Sequence, residues 1–193
     1  MPCLYLVRHA KPAASWGEDP DPGLDATGIA QARAMAEELA GSLSRLPLYT
    51  SPLRRCRETA EPLEQLWFCE AELMPVVAEI PSPPLDLAAR QDWLIAAMRD
   101  TWHHLHANAP PGSIDYLAWR QQLLDTLLSI DRDCVICTHF IALNVAVGAA
   151  QRRDEVVCFR PDYASVTVLE AHAGRLRVID LGRQAETFVL ARQ

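Results

Sequence analysis

Arg8 and His9 follow an apolar run, Leu4-Tyr5-Leu6-Val7, and a second polar pair, Thr138 and His139, follows another such run, Cys134-Val135-Ile136-Cys137. Two further runs end in the same way. Residues 46–50 lead into Ser51 and then Arg54 and Arg55, and the weaker run 73–78 leads into Glu79. Two imidazoles, at least two guanidiniums and one carboxylate therefore stand just past four strand-like segments. Guanidiniums, imidazoles and helix N-termini bind oxyanions. A phosphoryl group spreads its charge over equatorial oxygens that fixed donors stabilise during transfer. A neutral imidazole nitrogen can attack phosphorus and carry it as phosphohistidine. Glu79 is then the general acid for the leaving oxygen and later the base for water, with burial and the neighbouring phosphate keeping it protonated near neutral pH. The expected chemistry takes no cofactor and no metal.

The elements that must place these residues alternate between strand and helix. Residues 3–7 are the first strand. An Ala- and Glu-rich stretch from Asp25 to about Leu43 has helical spacing, and residues 46–50 are the second strand. Ser51 and Pro52 suit the N-cap and first position of a second helix. Residues 73–78 read as a third strand interrupted by Pro75. Residues 114–128 are helical, with Leu117, Leu123, Leu124, Leu127 and Leu128 at threes and fours. Residues 134–137 are the fourth strand, and 141–150 an apolar helix. The runs 164–169 and 176–181, around His172-Ala173-Gly174, read as an antiparallel hairpin. This alternation predicts an α/β fold, a three-layer α/β/α sandwich with a largely parallel central sheet. In such sheets ligands bind beyond the carboxyl ends of the strands, where the charged residues fall. Nothing divides the chain, so residues 1–193 are expected to form a single domain. Residues 80–112 hold five prolines with Trp93 and Trp102 among them, and are expected to form a cap-like insertion over one edge of the sheet.

The bulk composition limits the choice of function. Of 193 residues, 50% are hydrophobic and 22% charged, which is globular composition. A net charge of −7 argues against generic binding to nucleic acid or an anionic membrane. No apolar run approaches the ~20 residues of a membrane helix, and no secretory signal is evident, so a cytoplasmic location is expected. Lys11 is the only lysine among 18 basic residues. Arginine, always charged and forked, permits phosphate recognition. Cys134 and Cys137 lie three apart in a strand and so point to opposite faces, which argues against a shared metal. All six cysteines are expected to be reduced packing residues.

Several segments resemble motifs of the histidine phosphatase superfamily, the phosphoglycerate-mutase-like proteins. LVRHAKP, residues 6–12, is similar to its Arg-His-Gly/Ala signature. LDATGIAQA (24–32), TSPLRRCRETA (50–60), AEI (78–80) and VICTHF (135–140) follow in the family's order. The resemblance implies His9 as nucleophile, Arg8, Arg55 and His139 as phosphate ligands, and Glu79 as proton donor. It selects Arg55 over Arg54. Ser15 stands six after the nucleophile, where Asn is common, and a hydroxyl there can replace an amide contact. Phe140 replaces a usual Gly, and IPSPPLD (80–86) replaces a glycine-rich stretch. That exchange makes Asp86 the alternative proton donor.

The expected function is a metal-independent phosphatase acting on a small-molecule phosphomonoester through phosphohistidine on His9. The alternatives are a phosphoglycerate-mutase-type phosphotransferase, a phosphoprotein phosphatase, and a catalytically silent relative that binds a phospholigand. Arg90 and Arg99 are the only cations in the cap-like segment, which disfavours a substrate with several anionic groups. Arg54 and Arg57 are expected in solvent. His103, His104 and His106 are expected at the surface or pocket rim and not as a metal site, and Trp93, Trp102 and Trp119 in packing. The sequence gives no oligomeric state.

Overall fold

The computed structural model describes residues 1–15 and 18–185. Six strands form one sheet: β1 (Cys3–Arg8), β2 (Leu48–Thr50), β3 (Glu72–Leu73), β4 (Cys134–Thr138), β5 (Val166–His172) and β6 (Arg175–Asp180). Their order across the sheet is β3-β2-β4-β1-β5-β6. The pairs β3–β2, β2–β4 and β4–β1 are parallel, and β5 and β6 run antiparallel at one edge.

Strand alternation divides the core in two. Leu4, Leu6, Cys134 and Ile136 face one layer, and Val7, Val135 and Cys137 the other. Helices α1 (Ala26–Ser42) and α2 (Arg54–Trp67) cover the second face, burying Met35, Leu39 and Leu63. Helices α4 (Trp102–Ala107), α5 (Tyr116–Ser129) and α6 (Phe140–Gln151) cover the first, burying Trp102, Leu127 and Leu143. The expected three-layer α/β/α arrangement is therefore the observed one. Cys134 and Cys137 do lie on opposite faces of the sheet.

The parallel register places the chemistry. Arg8 pairs with Thr138, and Thr50 with Cys137. One step further along each strand come His9, His139 and Ser51, side by side at the carboxyl edge. Neighbouring strands lie about 4.8 Å apart, so two histidines in matching positions must meet. Helix α1 closes in from below: the Asp25 carboxylate accepts the Gly28 amide as N-cap. A Cβ on Gly28 would lie 2.1 Å from the Lys11 carbonyl oxygen. Only glycine lets the helix abut the loop that follows His9.

Two local expectations give way. Ser51 is not an N-cap, because α2 begins at Arg54 with Leu53 as its cap and no side-chain bond there. The Ser51 hydroxyl is engaged by His139 instead. The third strand is only Glu72–Leu73, and Pro75–Val77 forms a 3-10 turn. Proline at its start lacks the N–H that a ladder requires. Between them, residues 80–112 contain α3 (Leu87–Ala97) and α4, and Ile80, Ala97, Trp102 and Leu105 from this stretch are part of the core.

Candidate active site

Beyond the carboxyl edge lies a cavity of about 620 Å³, lined among others by Arg8, His9, Arg55 and Glu79. His9 is 5% exposed and its Nδ1 sits 2.8 Å from the Ala10 carbonyl oxygen. A carbonyl only accepts, so Nδ1 carries the proton and Nε2 keeps its lone pair. Burial pushes His9 well below the ordinary imidazole value, helped by the Arg55 and Arg8 guanidiniums and opposed by the Ala10 carbonyl. The ring is therefore neutral at pH 7, with its free nitrogen a potential nucleophile.

His139 is fully buried, its ring centre 5.2 Å from that of His9 and tilted by 60°. Its Nε2 lies 2.7 Å from Ser51 Oγ and 3.2 Å from Cys56 Sγ. The Ser51 oxygen also accepts the Leu53 amide at 3.3 Å, and its hydroxyl can either donate to Nε2 or accept from it. Where the hydroxyl donates, the ring proton sits on Nδ1, a buried atom with no partner among the described residues. Burial first, then His9, Arg55 and Arg8, hold His139 well below the ordinary value.

The two guanidiniums are held differently. Arg55 is 3% exposed in the first turn of α2, and its Nη1 lies 3.8 Å from Asp21 Oδ1. Thr59, one turn on, donates its hydroxyl to the Arg55 carbonyl at 2.6 Å and accepts the Ala10 amide at 2.9 Å. One side chain thus ties the arginine's helix to the loop after His9. Arg8 donates from Nη1 to the Pro161 carbonyl at 2.8 Å. Its guanidinium carbon lies 3.9 Å from the centre of the Tyr163 ring and 5.0 Å from that of Phe140. Asn144 in α6 is fully buried; its side-chain oxygen accepts the Cys158 and Phe159 amides, fixing the segment that leads to Pro161 and Tyr163.

Glu79 enters from the third strand's extension. Thr138 donates its hydroxyl to the Val77 carbonyl at 2.7 Å, pinning the 3-10 turn to the end of β4. Glu79 is 8% exposed, and its Oε1 accepts the Ile80 amide at 3.1 Å and the Ile141 amide, in the first turn of α6, at 3.0 Å. Burial raises its pKa above the ordinary carboxyl value, opposed by those two amides and by Arg55 and Arg8. A carboxyl that keeps its proton longer in such a cavity suits proton donation.

The other expected residues are placed as follows. Asp86 accepts the Ala89 amide as the N-cap of α3 and does not line the cavity. Ser15 lines the mouth, exposed, with its amide donating to the Glu18 carboxylate at 2.9 Å. Arg54 is exposed and paired with Glu58. His103, His104 and His106 face Asp154, Asp100 and Asp115 at the surface. Trp102 and Trp119 pack on each other, and Trp93 stacks on Tyr116. Sequence reasoning missed Tyr163, Thr59 and the true partner of Ser51. Tyr163 lies after no apolar run, and only its place in space marks it. Among the described residues, no group of three or more His, Cys, Asp or Glu side chains has metal-binding geometry, and no helix is long and apolar enough to cross a membrane.

This strand-end arrangement of paired histidines and arginines defines a class of phosphoryl-handling α/β proteins. The model of the histidine phosphatase superfamily (branch 1) matches residues 4–184, and the chain belongs to that superfamily. No curated protein matches the sequence. Among solved structures, YhfR of Bacillus stearothermophilus is similar at 20% identity and a TM-score of 0.77, over 96% of this chain and 98% of that one. A mycobacterial glucosyl-3-phosphoglycerate phosphatase is 21% identical, with a TM-score of 0.73 over 95% and 99% of the two chains. A phosphoserine phosphatase mutant from Entamoeba histolytica, in complex with phosphoserine, is 17% identical, with a TM-score of 0.71 over 94% and 97%. At these identities the likeness is one of fold.

Proposed function

We propose that the protein is a phosphatase that hydrolyses a small-molecule phosphomonoester through a phosphohistidine on His9, and needs no metal ion to do so. One observation carries the reading. His9 Nδ1–H donates to the Ala10 carbonyl at 2.8 Å, leaving Nε2 as a neutral nucleophile in a cavity that Arg8, Arg55 and Glu79 also line. Nε2 attacks phosphorus, the P–O ester bond breaks, and Glu79 gives its proton to the departing alkoxide. Water then attacks the phosphohistidine, Glu79 takes the water's proton, and the N–P bond breaks to release inorganic phosphate. Arg8 and Arg55 neutralise the equatorial oxygens throughout. In this reading His139, fully buried beside His9 and not itself lining the cavity, donates a ring N–H to a phosphoryl oxygen.

Two relatives in fold are phosphatases by name, of a glucosyl-phosphoglycerate and of phosphoserine, which agrees with the reading. The test is hydrolysis of an aryl phosphate by the purified chain with excess chelator present. Wild type is expected to release phosphate, and His9→Ala, folded by circular dichroism, to lose at least ~10³-fold. Loss of activity on chelation contradicts the metal-independent reading. Accumulation of an isomeric phosphate ester in place of inorganic phosphate makes the protein a phosphotransferase, and phosphate binding without turnover makes it a silent relative.

A further inference from the structure

Part of the cavity wall has a different character. Gln91, Leu94, Ile95 and Met98 line it, at the spacing of one helical face on α3 and its C-cap. Only Ala97 of α3 is fully buried. Leu94 and Met98 also touch the core, so they straddle core and cavity. Pro12 to Ala14, Phe140 and Tyr163 line the cavity as well. The lining thus combines the Arg8 and Arg55 guanidiniums with an apolar helical face, and the volume far exceeds a phosphoryl group.

The remaining charges do not suit a second anion. Lys11 is paired with Asp25 at 2.8 Å. Glu18 stands on the same rim, and Arg160 is the other lining cation besides Arg8 and Arg55. A carboxylate or second phosphate on the alcohol would have Arg160 as its one lining partner beyond the phosphate site, against Glu18, Asp25 and an already paired lysine. An apolar alcohol would cover Leu94, Ile95 and Met98 and remove their surface from water.

We propose that this face of α3 is the leaving-group subsite, and that the substrate is the phosphate monoester of an apolar alcohol, aryl or branched alkyl, with the phosphoryl group as its single anionic part. The inference rests on the phosphatase reading for the orientation of the ester. It commits α3 to choosing the alcohol, while the strand ends choose the phosphate.

The test is a series of phenyl, 4-methyl-, 4-ethyl- and 4-propylphenyl phosphates, whose leaving groups differ little in acidity. Apolar burial of about 0.8 kcal/mol per methylene corresponds to about fourfold, and a partly open subsite to about twofold. kcat/KM is expected to rise two- to fourfold per added carbon. Ile95→Asn is expected to flatten the rise, and Ile95→Val to keep it. A flat or falling series with good turnover, or a faster reaction with a phosphorylated sugar acid than with any aryl ester, overturns the subsite and leaves the phosphatase reading intact. If no ester is hydrolysed, calorimetry of methyl-, propyl- and pentylphosphonate decides the matter without catalysis. Tighter binding with chain length, lost in Ile95→Asn, supports the subsite, and equal affinities overturn it.

Discussion

The Arg8 guanidinium carbon lies 3.9 Å from the centre of the Tyr163 ring. Phe140 adds a second ring at 5.0 Å. Phe140 occupies the position after the second histidine where the resemblance led us to expect glycine. Its bulk therefore rests against the arginine. A planar cation beside aromatic faces is held by about 2 kcal/mol when desolvated. No carboxylate forms an ion pair with Arg8 among the described residues, and the Pro161 carbonyl with these rings fixes its plane. Tyr163→Leu is expected to weaken inorganic phosphate binding about tenfold or more and to raise KM more than it lowers kcat. Tyr163→Phe retains most of the affinity. Titration calorimetry with phosphate or vanadate reads the difference, and equal losses in both variants would assign the effect to the phenol hydroxyl.

A Ser51 hydroxyl that donates to His139 Nε2 would hold the ring proton on Nδ1. Ser51→Ala removes the 2.7 Å contact to Nε2. A buried group left without its partner costs about 1–3 kcal/mol, so kcat/KM is expected to fall about ten- to hundredfold. Nitrogen chemical shifts of the His139 ring check the cause: the wild type shows the proton on Nδ1, and the variant a mixture. An unchanged tautomer with lost activity would contradict this role.

Glu79 and His9 together set the pH dependence. His9 must be neutral, and its pKa is depressed by burial, so the acid limb of kcat/KM lies below pH 6.5. Glu79 must be protonated, and its pKa is raised by burial, so the basic limb lies above pH 4.5. The profile is expected to be bell-shaped, with its optimum between these two limbs. Glu79→Gln should remove the basic limb and slow alkyl esters at least ~100-fold more than nitrophenyl esters, whose leaving groups need no proton. Substrate ionisation is common to both proteins, so the difference between their profiles isolates the carboxyl. Equal slowing on both ester types would point to another donor.

Much of this was legible in the sequence, because strand ends carry their polar residues in cis: Arg8, His9, Thr138 and His139 each follow an apolar run directly. The parallel register then had to bring them together. Ser51 was misassigned because Ser-Pro satisfies local helix-start chemistry, whereas a tertiary partner, His139, outcompeted the helix for its hydroxyl. The third strand was overextended for a related reason: residues 73–78 are apolar enough for the core, but Pro75 breaks the ladder. Tyr163 carried no signal, since its role exists only through contacts distant in sequence, and Thr59 stood within the motif of residues 50–60 without a role assigned to it. Glu79 was legible as a carboxylate after an apolar run, but that it lines the cavity while Asp86 caps α3 required the structure.

The two buried imidazoles also make stability depend on pH. Both folded-state values are depressed below 6.5, so the unfolded chain binds more protons in acid. Their contribution is complete above pH 6.5 and lost as pH falls below it, at up to about 1.4 kcal/mol per pH unit for each group. Thermal unfolding midpoints are expected to drop between pH 6.5 and 5, and less steeply in His9→Ala. Identical slopes for the two proteins would show that His9 is not the group titrating.

The most direct measurement is the identity of the covalent intermediate. Rapid acid-free quenching of the protein with an aryl phosphate, followed by peptide mass spectrometry, should place one phosphoryl group on His9, stable in base and labile in acid. A burst of alcohol equal to the protein concentration should precede steady turnover in Glu79→Gln, in which water attack is slowed. A phosphoryl group on any other residue, or turnover in His9→Ala at the wild-type rate, would contradict the account.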